Sequence, residues 1–206
     1  MQISLIRHGR SIVHSDFMNV EQFQAWIEQY NQEGIRSEAK FPPKTVAAIE
    51  SAKFILSSDS KQAIQSATLL THSLSFIQNK IFREAEIATY VPMPTWLKLK
   101  PRLWLTLGRT FWLVGYGEDV ETYDEAKFRA KQAADLLIGY ALCYQKVVLI
   151  GHRFFNMMIA KELRQRGWTG PLFLNQQHWG CTTYQYHKVL EGPPIKQSIG
   201  FTPMQT

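Results

Sequence analysis

Two short apolar runs, far apart in the chain, each lead into a histidine. Ile3-Ser4-Leu5-Ile6 is followed by Arg7-His8-Gly9, and Val147-Val148-Leu149-Ile150 by Gly151-His152. Runs this short, bounded by polar residues and glycine, read as buried strands. In open α/β sheets, ligands bind in the crevice outside the carboxyl ends of the strands. If both runs lie centrally in one parallel sheet, the two imidazoles meet at the same edge. A guanidinium beside an imidazole at such a place suits an anion. Arginine offers a fork of donors matched to phosphate oxygens, and histidine serves as nucleophile or acid/base. Gly9 lets the backbone turn sharply and a ligand come close. An isolated Arg-His-Gly triplet arises by chance in many chains, so the weight falls on the partners that the rest of the sequence supplies.

The remaining pattern alternates helices with strands. Helical periodicity covers Val20–Gln32, stopped by Gly34, and then Thr45–Ala52 after the Lys40-Phe41-Pro42-Pro43 link. Lys53–Ser58 reads as a second strand. Ser57-Ser58-Asp59-Ser60 follows, a cluster of the residues that cap helices, and opens a helix over Lys61–Leu74 with Ala63, Ala67, Leu70 and Leu74 on one face. Lys80–Glu84 reads as a short third strand leading to Glu84 and Glu86. Strand geometry puts both carboxylates on one face. A helix over Glu118–Ala141 carries a capping box at Thr122-x-x-Glu125 and an apolar stripe of Ala126, Ala130, Ala133, Leu137 and Tyr140. Phe154–Arg166 is a further helix stopped by Gly167, His178–His187 alternates like a strand, and a surface tail runs from Gly192. Together these predict an α/β fold. The expected form is a three-layer sandwich with a mostly parallel central sheet flanked by helices, in a single domain over 1–206.

One stretch breaks the alternation. Ala88–Tyr116 mixes Pro92, Pro94 and Pro101 with Trp96, Trp104, Phe111 and Trp112, and with Lys98, Lys100, Arg102 and Arg109. It reads as a Trp/Pro-rich insertion at about 88–117, extended at first and helical from Pro101. Placed over the sheet edge, it would offer aromatic surface and positive charge to a bulky organic phosphate. The alternative is a helical cap whose aromatics fill its own core. A third reading is peripheral membrane contact through 96–114, since a basic, Trp-rich amphipathic segment can lie at a bilayer surface.

Composition narrows the function classes. The chain is 45% hydrophobic and 19% charged, as expected of a packed globular protein. Its net charge of +6 suits an anionic ligand, but no dense basic run or motif points to nucleic acid. No uncharged apolar run reaches the ~20 residues needed to span a bilayer. The first strand begins close to Met1, so no secretory leader is expected. Cys143 and Cys181 lack metal-ligand spacing and read as buried thiols of a reducing compartment, so a cytoplasmic location is expected. Oligomeric state is not legible in the sequence.

Leu5-Ile6-Arg7-His8-Gly9-Arg10-Ser11 resembles the signature of the histidine phosphatase superfamily, which includes phosphoglycerate mutases and many phosphatases. Gly151-His152 after its apolar strand is similar to the segment carrying the family's second histidine. Ser57 through Ala67 is similar to the family's helix-opening motif, and Phe82-Arg83-Glu84 resembles the segment bearing its proton donor. The matches run in the family's order along nearly the whole chain. The resemblance implies roles: His8 as nucleophile, Arg7 as phosphate clamp, His152 as a donor to the transferring phosphoryl group, and Glu84, or Glu86 facing the site instead, as proton donor. It implies phosphate or substrate contacts from Arg7, Ser11, the position of Gln62 and His152, with no metal and no cofactor. His14, His72, His178 and His187 have no motif support and read as ordinary polar or packing residues.

The sequence departs from the family pattern around this pocket. Gln62 stands where the helix-opening motif carries an arginine that acts as a second phosphate clamp. His14 stands where many members have Asn, and Arg153 where Gly is common. Lys61, Arg10 or Arg153 are the cations close enough in sequence to compensate; the competing reading of each is a solvated surface charge. Lys61 lies about 100° round the helix from Gln62. Two function classes follow. One is a metal-independent phosphomonoester hydrolase working through a phosphohistidine, weakened or retuned by Gln62, on a phosphorylated small molecule. The other is a catalytically weak or inactive module of the same fold that binds a phosphorylated ligand.

Overall fold

The computed structural model describes residues 1–14, 16–72, 75–117 and 120–187. Leu74, Glu118 and the tail from Gly192 lie outside the described residues. The elements in chain order are β1 (Gln2–Arg7), α1 (Val20–Gln32), α2 (Pro43–Ser51), β2 (Phe54–Ser57), α3 (Lys61–Thr71) and β3 (Ile77–Gln78). They continue with α4 (Pro101–Leu113), α5 (Tyr123–Tyr144), β4 (Lys146–Gly151), α6 (Arg153–Gln165) and β5 (Cys181–Gln185). The sheet order is β3-β2-β4-β1-β5. All neighbours are parallel except β1 and β5, which run antiparallel.

The two apolar runs ending in histidine are therefore adjacent central strands. Their register pairs Ile3 with Val147 and Arg7 with Gly151. Period-two alternation sends the side chains of β1 and β4 to both faces of the sheet. Ile3, Leu5, Val147 and Leu149 join α5 and α6 residues such as Ala130, Leu137, Phe155 and Ile159 in one apolar layer. Ile6, Val148 and Ile150 join Ala48 and Ile49 of α2 and Ala63, Ala67 and Leu70 of α3 in the other. Helices thus cover both faces, giving the expected layered α/β arrangement.

Local chemistry fixes the helix starts. Asn19 and Gln22 form a reciprocal capping box at α1, and Thr122 and Glu125 form one at α5. Ser60 caps α3 by accepting from the Ala63 amide. Pro43 and Pro101 each stand in the first turn of a helix, where the missing N–H costs nothing and φ is already set.

Three expectations are corrected. The third strand is Ile77–Gln78, not Lys80–Glu84; Asn79 accepts from the Ile81 amide and winds Lys80–Phe82 into a 3-10 turn. Cys181 is buried but Cys143 is exposed. Trp104 and Trp112 of the 88–117 segment turn inward instead of toward a ligand. Trp104 stacks on Phe23 of α1, its indole N–H donating to the Met18 carbonyl at 2.7 Å. Trp112 packs edge-on against Tyr123 and Phe154. Trp96 alone of the three is exposed. This segment and α1 share an apolar cluster of their own, and among the described residues no helix is long and apolar enough to cross a membrane.

Candidate active site

His8 follows β1 and His152 follows β4, so the register of two adjacent parallel strands sets the imidazoles side by side. Their ring centroids are 5.1 Å apart, and both side chains are buried. The His8 amide donates to the Gly151 carbonyl at 3.0 Å, extending the ladder one step past the strand. His8 Nδ1 lies 2.8 Å from the Gly9 carbonyl oxygen. A carbonyl only accepts, so Nδ1 carries the proton, and in the neutral ring Nε2 carries the lone pair. Burial above all, and then the charges of His152, Arg7 and His178, hold His8 well below the ordinary imidazole range.

His152 Nε2 is 3.1 Å from both Ser58 Oγ and Ser60 Oγ. These hydroxyls come from the turn joining β2 to α3. Burial lowers the His152 pKa as well. Arg7 projects from the last residue of β1. Its Nη1 donates to the Gln176 carbonyl at 2.7 Å, while Nε is buried with no partner among the described residues. Tyr30, in the last turn of α1, lies beside the Arg7 guanidinium, and its ring centroid is 6.4 Å from that of His8.

Glu84 is half-buried, and its carboxylate sits on the amino end of α6. Oε2 accepts from the Phe154 amide at 3.0 Å, and Oε1 from the Phe155 amide at 2.7 Å. The first amides of a helix have no intrahelical acceptor, and Glu84 satisfies two of them. Glu86 does not share this position. It is exposed, and its Oε2 accepts from the Glu121 amide at 2.6 Å. Glu84 and Glu86 both line the cavity, although the segment that carries them is not a strand.

These groups open into one cavity of about 1450 Å³. Arg7, His8, Gln62, Glu84, His152, Lys61 and Arg153 all line it. Gln62 is buried, and its Nε2 donates to the Tyr30 carbonyl. Arg153 is exposed and donates to the Gln176 side chain. Lys61 is exposed. Ser11 and Arg10 are not brought to the cavity: Ser11 Oγ accepts from the Val13 amide at 3.2 Å, and Arg10 is exposed. From α4, the cavity receives Arg102, Leu105, Thr106, Arg109 and Thr110. Trp96, Trp104, Phe111 and Trp112 are absent from its lining, so the expected aromatic surface toward a ligand is not there.

Sequence reading passed over two neighbours of His8. Tyr30 stood in a correctly read helix whose lean toward β1 has no local signal. His178 is 5.6 Å from His8 between ring centroids, and its Nδ1 donates to the His8 carbonyl at 3.1 Å. Burial, reinforced by Arg7, lowers its pKa to about 4. The available clue was β5: a strand antiparallel to β1 must begin where β1 ends. Gly9 is also explained differently. A Cβ there would stand 2.2 Å from Trp179 Cζ2, so the glycine is required by an indole.

No family model and no curated protein sequence matches the chain. Solved structures do. A protein described as mycobacterial hydrolase 1 has a TM-score of 0.60 at 16% identity, over 92% of this chain and 91% of that one. A mycobacterial glucosyl-3-phosphoglycerate phosphatase complexed with VO3 has a TM-score of 0.58 at 15% identity, over 91% and 92%. A phosphoserine phosphatase from Entamoeba histolytica, in complex with phosphoserine, has a TM-score of 0.52 at 13% identity, over 90% and 91%. The chain shares the fold of these structures.

Proposed function

We propose that the protein is a phosphomonoester hydrolase that works through a phosphohistidine on His8. The observation that carries this reading is the tautomer of His8. Its Nδ1–H is committed to the Gly9 carbonyl, which leaves the Nε2 lone pair as the nucleophile beside a half-buried arginine whose buried Nε has no partner among the described residues. A histidine kept for packing has no need of such a neighbour.

The reaction follows in two displacements. His8 Nε2 attacks phosphorus and forms the P–N bond while the P–O bond to the ester oxygen breaks. Glu84 gives its proton to that oxygen, which leaves as the alcohol. Water then attacks the phosphohistidine, passing a proton to Glu84 as the P–N bond breaks. Inorganic phosphate leaves, and both residues return to their starting states. Arg7 and His152 hold the nonbridging oxygens. Preorganised donors of this kind are the main contribution a protein makes to phosphoryl transfer. Ser58 and Ser60 orient the His152 ring. The phosphatases among the fold's relatives support the same class of reaction.

A second reading has one specific observation in its favour. Gln62 brings no charge to the cavity and its amide is tied to Tyr30, which suits a module that binds a phosphorylated ligand without turning it over. Phosphate release from p-nitrophenyl phosphate and a panel of alkyl phosphomonoesters, in EDTA, separates the two. Activity that survives EDTA and is lost in His8→Ala is expected of the hydrolase. Silence from folded wild-type protein across the panel would favour the binding module.

A further inference from the structure

The proton donor of the proposed reaction stands on a segment without a sheet partner, and two arginines do the work a strand neighbour would do. From α5, Arg129 donates Nη1 to the carbonyls of Ile81 at 2.9 Å and Arg83 at 2.8 Å, and Nη2 to that of Glu84 at 3.4 Å. From α4, Arg109 donates Nη1 to the Glu86 carbonyl at 2.6 Å and Nη2 to that of Ala85 at 3.0 Å. Between them they take five carbonyl groups that have no regular backbone ladder to join.

The same two guanidiniums fix the other side of the carboxylate. Arg109 lies over the Phe154 ring at 4.1 Å, and Arg129 over the Phe155 ring at 3.9 Å. Phe154 and Phe155 are the residues whose amides hold Glu84 Oε2 and Oε1. Each arginine therefore touches both the backbone that carries Glu84 and the residue that receives its carboxylate. Glu121 locks the assembly. It pairs with Arg129 through both oxygens at 2.6 Å, and its amide holds the Glu86 side chain.

We infer that Arg109 and Arg129 are positioning residues for Glu84. We infer further that Arg109 ties the proton donor to α4, the helix that brings Arg102, Thr106 and Thr110 to the cavity. The inference rests on the phosphatase reading of Glu84. It means that the helix bordering the substrate space and the acid that frees the leaving group share one set of contacts.

The leaving group provides the test. p-Nitrophenolate departs without a proton, whereas the alkoxide of glycerol 3-phosphate needs one. The measurement is kcat/KM for both esters in wild type, Glu84→Gln, Arg129→Lys, Arg109→Lys and Arg109→Gln, each checked for folding by its thermal transition. General acid catalysis contributes roughly 10²–10⁴-fold, so Glu84→Gln should raise the aryl-to-alkyl ratio by about a hundredfold or more. The arginine variants should raise it in the same direction, by about tenfold at ~1.4 kcal/mol per decade. Nonspecific damage to the fold would lower both substrates together and leave the ratio where it was. A shifted ratio in Glu84→Gln with an unmoved ratio in the arginine variants overturns the positioning role alone. An unmoved ratio in Glu84→Gln, or a wild type silent on both esters, overturns the reading on which it rests and the inference with it. If Arg129→Lys does not fold, the two Arg109 variants, which leave the ion pair with Glu121 intact, decide the matter.

Discussion

The imidazoles of His8 and His152 stand with ring centroids 5.1 Å apart, and their hydrogen bonds go to a carbonyl and to serine hydroxyls. Both are buried next to Arg7, an environment that disfavours charge on either ring. In the proposed reaction the pair serves as a neutral nucleophile and a neighbouring donor. His8→Ala should remove turnover altogether. His152→Ala should retain a trace, since losing one donor to a developing oxyanion costs about 10²–10³-fold. Steady-state phosphate release from both variants checks this; equal residual rates would contradict the division of roles.

The nucleophile should stay competent in mild acid. His8 is faced by Arg7, His152, His178 and Tyr30, and its depressed pKa keeps it neutral where a free imidazole is half protonated. The acid limb of kcat/KM for p-nitrophenyl phosphate that reports His8 is expected well below pH 6.5. A limb centred at 6.5 and shifted by no pocket substitution would contradict the buried, neutral ring.

Stability should follow the same groups with a definite sign. An unfolded histidine titrates near about 6.5, whereas His178 in the fold titrates at about 4. Between those values the unfolded chain binds a proton that the folded chain does not, so stability falls as pH falls through that window. The thermal midpoint should drop from pH 7 to pH 4.5, and His178→Gln should make the drop shallower. An unchanged slope in that variant would remove His178 from the linkage.

Gln62 should be improvable. It lines the cavity and already donates to the Tyr30 carbonyl. An arginine there can keep one N–H on that carbonyl and turn others toward an anion. A charge-assisted bond contributes about 1.5–3 kcal/mol against about 1 for a neutral one, so Gln62→Arg should raise kcat/KM by roughly tenfold. No gain in a folded variant would mean that position 62 does not address the phosphate.

Gly9 should not tolerate a methyl group. Its added Cβ would fall within 2.2 Å of the Trp179 ring, whose backbone is pinned by Thr45 and by the Arg7 carbonyl. Overpacking of this kind costs about 1–3 kcal/mol. Gly9→Ala should lower the thermal midpoint, and adding Trp179→Leu should recover less than is lost unless the smaller side chain refills the space. A neutral Gly9→Ala would show that the indole moves freely.

The sheet was legible because buried parallel strands leave an unambiguous mark: Val147–Ile150 is apolar throughout, and a turn signal follows. Val20–Gln32 was legible because an amphipathic repeat runs up to Gly34, and the structure adds the Asn19 cap that fixes its start. The third strand was misplaced because Ile77–Gln78 is too short to show a period, while the apolar Ile81 and Phe82 imitate one. Trp104 and Trp112 were read as candidates to face a ligand because sequence gives an aromatic stripe without saying which side has a partner; α1 and α6 supply it. His178 and Arg129 were overlooked for a common reason. Each meets the site through a long-range contact, and neither lies in a motif.

The most direct test of the central claim is to find the phosphate on His8. Protein mixed with an alkyl phosphomonoester and quenched within milliseconds at alkaline pH, where phosphohistidine survives, can be digested and its His8 peptide weighed. The account requires a phosphoryl group on His8 that accumulates before steady state, disappears as inorganic phosphate is released, and builds up further in Glu84→Gln when the aryl ester is used. Turnover by the wild type with no phosphoryl group on His8 at any time, or with the group on another residue, would contradict it.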